Sequence, residues 1–183
     1  MSIKLQDITT STNLDLTDKV LVSDGTSEHL VTAETMLGRM HTLFQGKQDT
    51  TSVTLTGTTF KKIPLALNGV EVPVGDSGMS ISDGGIKVSK AGTYKVTANL
   101  YLNPNDTTKS EGVYVFYGTS FTEGEPPTGC TELCGRYDRS FSSVQVIGIA
   151  TNVSANTIFY LAGRGNSAGT TADLGWLLVE RLS

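Results

Sequence analysis

Between Gly92 and Asn103 the chain alternates without a break. Tyr94, Val96, Ala98, Leu100 and Leu102 fall on one parity, and Lys95, Thr97, Asn99 and Tyr101 fall on the other. An extended backbone sends successive side chains to opposite faces, so this run predicts a strand with one buried and one open side. Such a strand must pair laterally and cover its apolar face with a second layer. The composition agrees: 26 Thr, 17 Ser and 20 Gly stand beside only 17% charged residues. Thr favours strands and Gly favours turns, whereas a helical protein draws on Glu, Lys, Ala and Leu.

From Thr51 onward strand follows strand. Val53 and Leu55, then Phe60 to Leu67, read as the opening strands, with Ile86-Lys87-Val88 behind them. Gly112 to Thr119, Phe141 to Ala150, Thr157 to Ala162 and Leu174 to Leu182 read as later ones. Asn68-Gly69, Gly75-Asp76, Asp83-Gly84-Gly85 and Asn103-Pro104 mark turns, and Ser120 to Arg139 reads as a long polar loop. The expected fold is a mainly β, antiparallel two-sheet sandwich. Several strands, however, are apolar on both faces: Tyr114-Val115-Phe116-Tyr117, Ile158-Phe159-Tyr160-Leu161 and Leu174-Gly175-Trp176-Leu177-Leu178-Val179. One core needs only alternate residues. Bulges and strand ends account for part of the surplus, and an interface between copies accounts for all three segments.

The first 49 residues read differently. Asp18 to Thr26 is a strand running into an Asp24-Gly25 turn, with Glu28-His29-Leu30-Val31 as its return. Thr32 then caps a short expected helix in which Ala33, Leu37, Met40 and Phe44 fall at spacings of four, three and four. Gln45 to Thr50 reads as a polar hinge. The expected division is therefore 1–49 and 50–183.

Residues for chemistry are sparse. His29 and His41 have no second histidine at metal-ligand spacing, and Cys130-x-x-x-Cys134 lacks the paired cluster of a zinc site. There is no Gly-Lys-Ser/Thr phosphate loop, and the glycine-rich Gly163 to Ser167 follows a strand with no helix opening after it and reads as a mobile hairpin loop. Glu123, Glu125 and Glu132 are solvated loop charges on one reading and oxygen ligands for a hard cation such as calcium on the other. No basic head or apolar stretch of a secretion signal opens the chain, so free thiols are expected at Cys130 and Cys134. A net charge of −4 without a basic block argues against nucleic acid, and no apolar run approaches the roughly 18 residues of a membrane helix. No catalytic, cofactor or metal site is expected, and the chain reads as a non-enzyme.

Gly85 to Val96, with Leu100-Tyr101-Leu102 behind it, resembles the central strand of the tumour-necrosis-factor (TNF) and C1q-like jelly rolls, where Gly-x-Tyr opens a core strand. Leu174 to Val179 resembles the last strand of that superfamily. The resemblance implies a homotrimer packed through one sheet, and nominates Tyr101, Tyr114, Phe116, Phe159, Leu161, Leu177 and Val179 as interface residues. Asp18 to Thr26 followed by Glu28 to Leu37 resembles the leader of bacteriophage virion fibre proteins. Together these imply a trimeric head fibre or capsid decoration protein, assembled in the bacterial cytoplasm and carried on the virion. Its N-terminal segment, with the Ala33–Phe44 helix, would grip a capsid or other virion protein. Arg136, Tyr137 and Arg139 are the candidate contacts to a host or environmental glycan. The alternative is a tail-fibre tip that recognises a bacterial surface carbohydrate.

Overall fold

The alternating run forms a strand of twelve residues, Gly92–Asn103, with Tyr94, Val96, Ala98, Leu100 and Leu102 all buried. A computed structural model describes residues 19–23, 28–32, 42–49, 51–67, 78–103, 111–138, 142–165 and 169–182. The chain divides into two units, Met1–His41 and Thr42–Ser183. In the first, Lys19–Ser23 (β1) and Glu28–Thr32 (β2) pair antiparallel, with Lys19 opposite Thr32 and Ser23 opposite Glu28.

The second unit is built from Thr42–Gln48 (β3), Val53–Leu55 (β4), Lys61–Lys62 (β5), Leu65–Ala66 (β6), Met79–Ser82 (β7) and Gly85–Val88 (β8). These are followed by Gly92–Asn103 (β9), Glu111–Thr122 (β10), Thr128–Asp138 (β11), Ser142–Val153 (β12), Ile158–Gly165 (β13) and Thr170–Arg181 (β14). Two six-stranded antiparallel sheets result. The first has the order β11-β10-β13-β8-β7, with β5 on β13; the second has the order β12-β9-β14-β3-β6, with β4 on β14. Asp83 and Gly84 both adopt positive φ (49° and 69°), which turns β7 into β8 through the tight Asp-Gly hairpin the sequence announced.

Leu100, Leu102, Val113, Val115, Ile86, Phe159, Leu161, Leu177 and Val179 are all fully buried members of one cluster contributed by both sheets. A second cluster, Phe60, Tyr114, Phe116, Phe121, Ile158, Tyr160 and Ala162, draws on the opposite parity of β10 and β13. Its cover comes from the chain itself. Phe60 N–H donates to Gly124 O at 3.0 Å, fastening the segment before β5 over the first sheet. The Phe60 ring then stands edge-on to Tyr114 at 4.8 Å and to Phe116 at 5.2 Å. Edge-on pairs of this kind each add about 0.5–1.5 kcal/mol beyond the burial itself.

Several expectations change. The expected helix through Phe44 does not extend to that residue: Phe44 lies in β3, buried, paired with Val179 across the sheet. Ala33, Leu37 and Met40 lie outside the described residues. The expected hinge is the rest of the same strand, so the sandwich begins at Thr42 and the division expected after residue 49 moves back to His41. The long loop shrinks to a short connection, because Thr128–Asp138 is a full strand on the edge of the first sheet. Gly163, Arg164 and Gly165 belong to β13 and are not a mobile loop. Phe60 to Leu67, read as one strand, is broken into β5 and β6, which serve different sheets.

Candidate functional site

Sheet parity decides where the seven expected interface residues go. Phe159 and Leu161 on β13, and Leu177 and Val179 on β14, take the inward parity and sit in the core cluster. Tyr114 and Phe116 take the outward parity of β10, but the Phe60 segment buries them. Six of the seven are therefore buried within their own chain. Only Tyr101, at 36% exposure, faces out. The apolar surplus of β10 and β13 is hidden by a strap of the same molecule, which periodicity does not reveal, whereas Trp176 and Leu178 of the third segment stay half-buried.

The open apolar surface lies on the second sheet, on the face opposite the core. Registers across β12, β9, β14 and β3 set its rows. Ile147 lies opposite Thr97, Thr97 opposite Leu178, and Leu178 opposite Gln45. The adjoining row runs Ile149, Lys95, Glu180 and Leu43, and the row on the other side runs Gln145, Asn99, Trp176 and Lys47. Ile147 and Ile149 are each 59% exposed; Trp176, Leu178 and Leu43 are half-buried. Lys95 pairs with Glu180 at 3.5 Å, and Ser143 Oγ donates to Asn99 Oδ1 at 2.8 Å. The charged side chains of the face are Lys47 and Lys95 against Asp173 and Glu180, so it is neutral in a chain of net charge −4. Sequence reading missed the two isoleucines. Their signal was present in Val144-Gln145-Val146-Ile147-Gly148-Ile149, where apolar residues occupy both parities of an edge strand.

The outer face of the first sheet is pinned by charges. Arg164 sits 4.9 Å over the Phe60 ring, pairs with Glu125, and donates to Tyr137 Oη at 2.9 Å. Glu123 pairs with Lys61 at 2.5 Å. Asp83 takes Lys62 Nζ at 2.8 Å and Tyr160 Oη at 3.1 Å, and the lysine beside it holds its carboxyl below the usual range. Glu123 and Glu125 are thus partners of Lys61 and Arg164. Among the described residues no group of three or more His, Cys, Asp or Glu gathers to hold a metal ion.

A bulge decides the remaining candidates. Val115 pairs with Cys134 but Phe116 pairs with Glu132, so Leu133 is an extra residue in β11 and the parity reverses there. Cys130 therefore packs on the outer aromatic cluster and Cys134 on the inner core, although a spacing of four would otherwise put both on one face. Both thiols are free, and burial pushes Cys134 up to about 11. Arg136 and Tyr137 are neighbours in a strand and face opposite ways. Tyr137 lies outward, edge-on to Tyr114 at 5.4 Å. Arg139 lies outside the described residues. His29 lies in β2, and His41 is outside the described residues.

No family model matches the sequence, and no curated protein does. Solved structures match through the fold. Murine APRIL at pH 8.0 has a TM-score of 0.54 at 13% identity, over 78% of this chain and 99% of that one. Murine APRIL at pH 5.0 gives 0.53 at the same identity and coverage. Vertex protein P5 of PRD1 gives 0.47 at 14% identity, over 77% and 96%, a score too low to bear on the fold. With its two antiparallel sheets and this strand order, the unit from Thr42 is a TNF-like jelly-roll sandwich.

Proposed function

We propose that the chain is a structural virion protein: a homotrimeric head fibre or capsid decoration protein of a bacteriophage. Its N-terminal segment attaches it to the particle, and its sandwich projects outward. The observation that carries the assembly is the open face of the second sheet, where Ile147 and Ile149 lie two residues apart on an edge strand at 59% exposure each. Covering the remaining exposed part of each isoleucine is worth about 1–2 kcal/mol, and a neutral face meets its own copy without net repulsion. Three copies would share Tyr101, Ile147, Ile149, Trp176 and Leu178 in place of the buried residues first nominated.

Attachment is assigned to the segment before Thr42. The motif from Asp18 to Leu37 that resembles a fibre leader supports it. Three such anchors held together bind a repeating surface far more tightly than one, because the second and third contacts are intramolecular. Adhesion to a host or environmental glycan would use the exposed ring of Tyr137. No reaction is assigned.

Light scattering tests the assembly. The expected mass is three chains, and Ile147→Lys should lower it to one. A single-chain mass at micromolar concentration in the unaltered protein overturns the trimer. Cosedimentation with empty phage heads, lost when residues 1–41 are deleted, tests attachment. Binding to cell-wall polysaccharide with no binding to heads would assign the chain to a tail tip instead.

A further inference from the structure

Leu174 breaks two rules at once. It is a leucine with φ of +51° in the interior of a strand, and it is the most exposed large apolar residue described, at 80%. A Cβ disfavours that left-handed backbone for any residue but glycine, Asn and Asp being the best tolerated, and such strain persists only where the surroundings impose it. Here they do. Asp173 pairs with Tyr101 but Trp176 pairs with Asn99, so β14 carries a bulge at Leu174-Gly175. The side chain of Gln48 fastens the bulge from the neighbouring strand: its Nε2 donates to Ala172 O and Thr51 O at 2.9 Å each, and its Oε1 accepts from Gly175 N–H at 2.9 Å. Asp173, beside it, accepts from Ser52 Oγ and from Thr171 Oγ1. Gly175 points into the core, where a Cβ would lie 2.9 Å from Leu100 and 3.0 Å from Leu161. Leu174 is thereby turned outward, away from the core.

The leucine side chain itself stays 80% exposed and so adds little burial to its own chain. We infer that Leu174 is a preformed contact knob, seated at the interface with a second copy of this chain. The occupant follows from the surroundings of the knob. It lies beside Tyr101 and Trp176 on the open face that also carries Ile147 and Ile149, and that face balances two lysines with two carboxylates in a chain that is otherwise net acidic. A second copy meets this surface with no uncompensated charge. The inference rests on the homotypic assembly proposed above and names the residue that anchors it.

The test compares the native protein with Leu174→Asn and Leu174→Met by sedimentation velocity over a dilution series, with circular dichroism confirming the β fold. Asn tolerates positive φ, so Leu174→Asn leaves the bulge intact and removes only the apolar knob. The expected result is an assembly midpoint raised about tenfold or more for Leu174→Asn, with Leu174→Met remaining close to native. If native protein assembles and folded Leu174→Asn assembles at the same concentration, the knob is refuted while the assembly stands. If the native protein is a single chain throughout, both fall.

Discussion

Replacing Phe60 with alanine tests whether the aromatic face of the first sheet is sealed by its own chain. Phe60 is 6% exposed and lies edge-on to Tyr114 and Phe116, with the Arg164 guanidinium 4.9 Å above its ring. Truncating a buried phenylalanine costs about 3–5 kcal/mol in transfer and cavity terms. Two aromatic pairs and a cation–π contact lie within that loss. At roughly 2–4 °C per kcal/mol for a chain of this size, the melting temperature should fall by about 6–20 °C. Urea denaturation at a fixed protein concentration measures the change, and binding of a hydrophobic dye should rise as Tyr114 and Phe116 are uncovered. The mass in solution should be unchanged, because this face meets no second copy in the proposed assembly. A loss below about 1 kcal/mol, or dissociation without loss of stability, would mean that another molecule covers Tyr114 and Phe116, and the reasoning about parity and the strap would fail.

Gly175→Ala should cost about 1–3 kcal/mol in a denaturation experiment, since its methyl would press on Leu100, Leu161 and the Gln48 amide in a filled core; an unchanged midpoint would show that the bulge has room. Asp83, held below its ordinary 3.8 chiefly by its hydrogen bond from Lys62, lends stability that is present above that value and is lost as acid takes the pH down through the lowered pKa. The stability difference between native protein and Asp83→Asn should therefore stay level from pH 8 to about 5 and shrink below about 4; a difference that grows with acid would contradict the pairing. At pH 8 a Cys134 thiol pushed up to about 11 is ionised only about one part in a thousand, so alkylation in the folded protein should be slow and become rapid in denaturant. A disulfide between Cys130 and Cys134, seen as a mass shift on reduction, would contradict their placement on opposite faces.

The sandwich was legible because its strongest signals are local. Tyr94 to Leu102 alternates over its whole length, and Asp83-Gly84 supplies the two positive φ angles that a tight hairpin requires. The covering of the second faces of β10 and β13 was not legible, since it depends on Phe60 bridging to Gly124, 64 positions further along the sequence, a contact no periodicity encodes. Phe44 satisfied a helical spacing with Met40 and a strand parity with Gly46 and Gln48 equally well; pairing with β14 decided it. The bulges at Leu133 and Leu174 each shift parity by one residue, so alternation alone assigns Cys134 to the wrong side and leaves Leu174 unexplained.

Trp176 is the chain's lone tryptophan, and it stands half-buried on the open face between Asn99 and Lys47. Its emission is therefore an optical probe already installed where copies are proposed to meet. A blue shift that deepens with concentration, without labelling or substitution, would report that surface drying as copies come together.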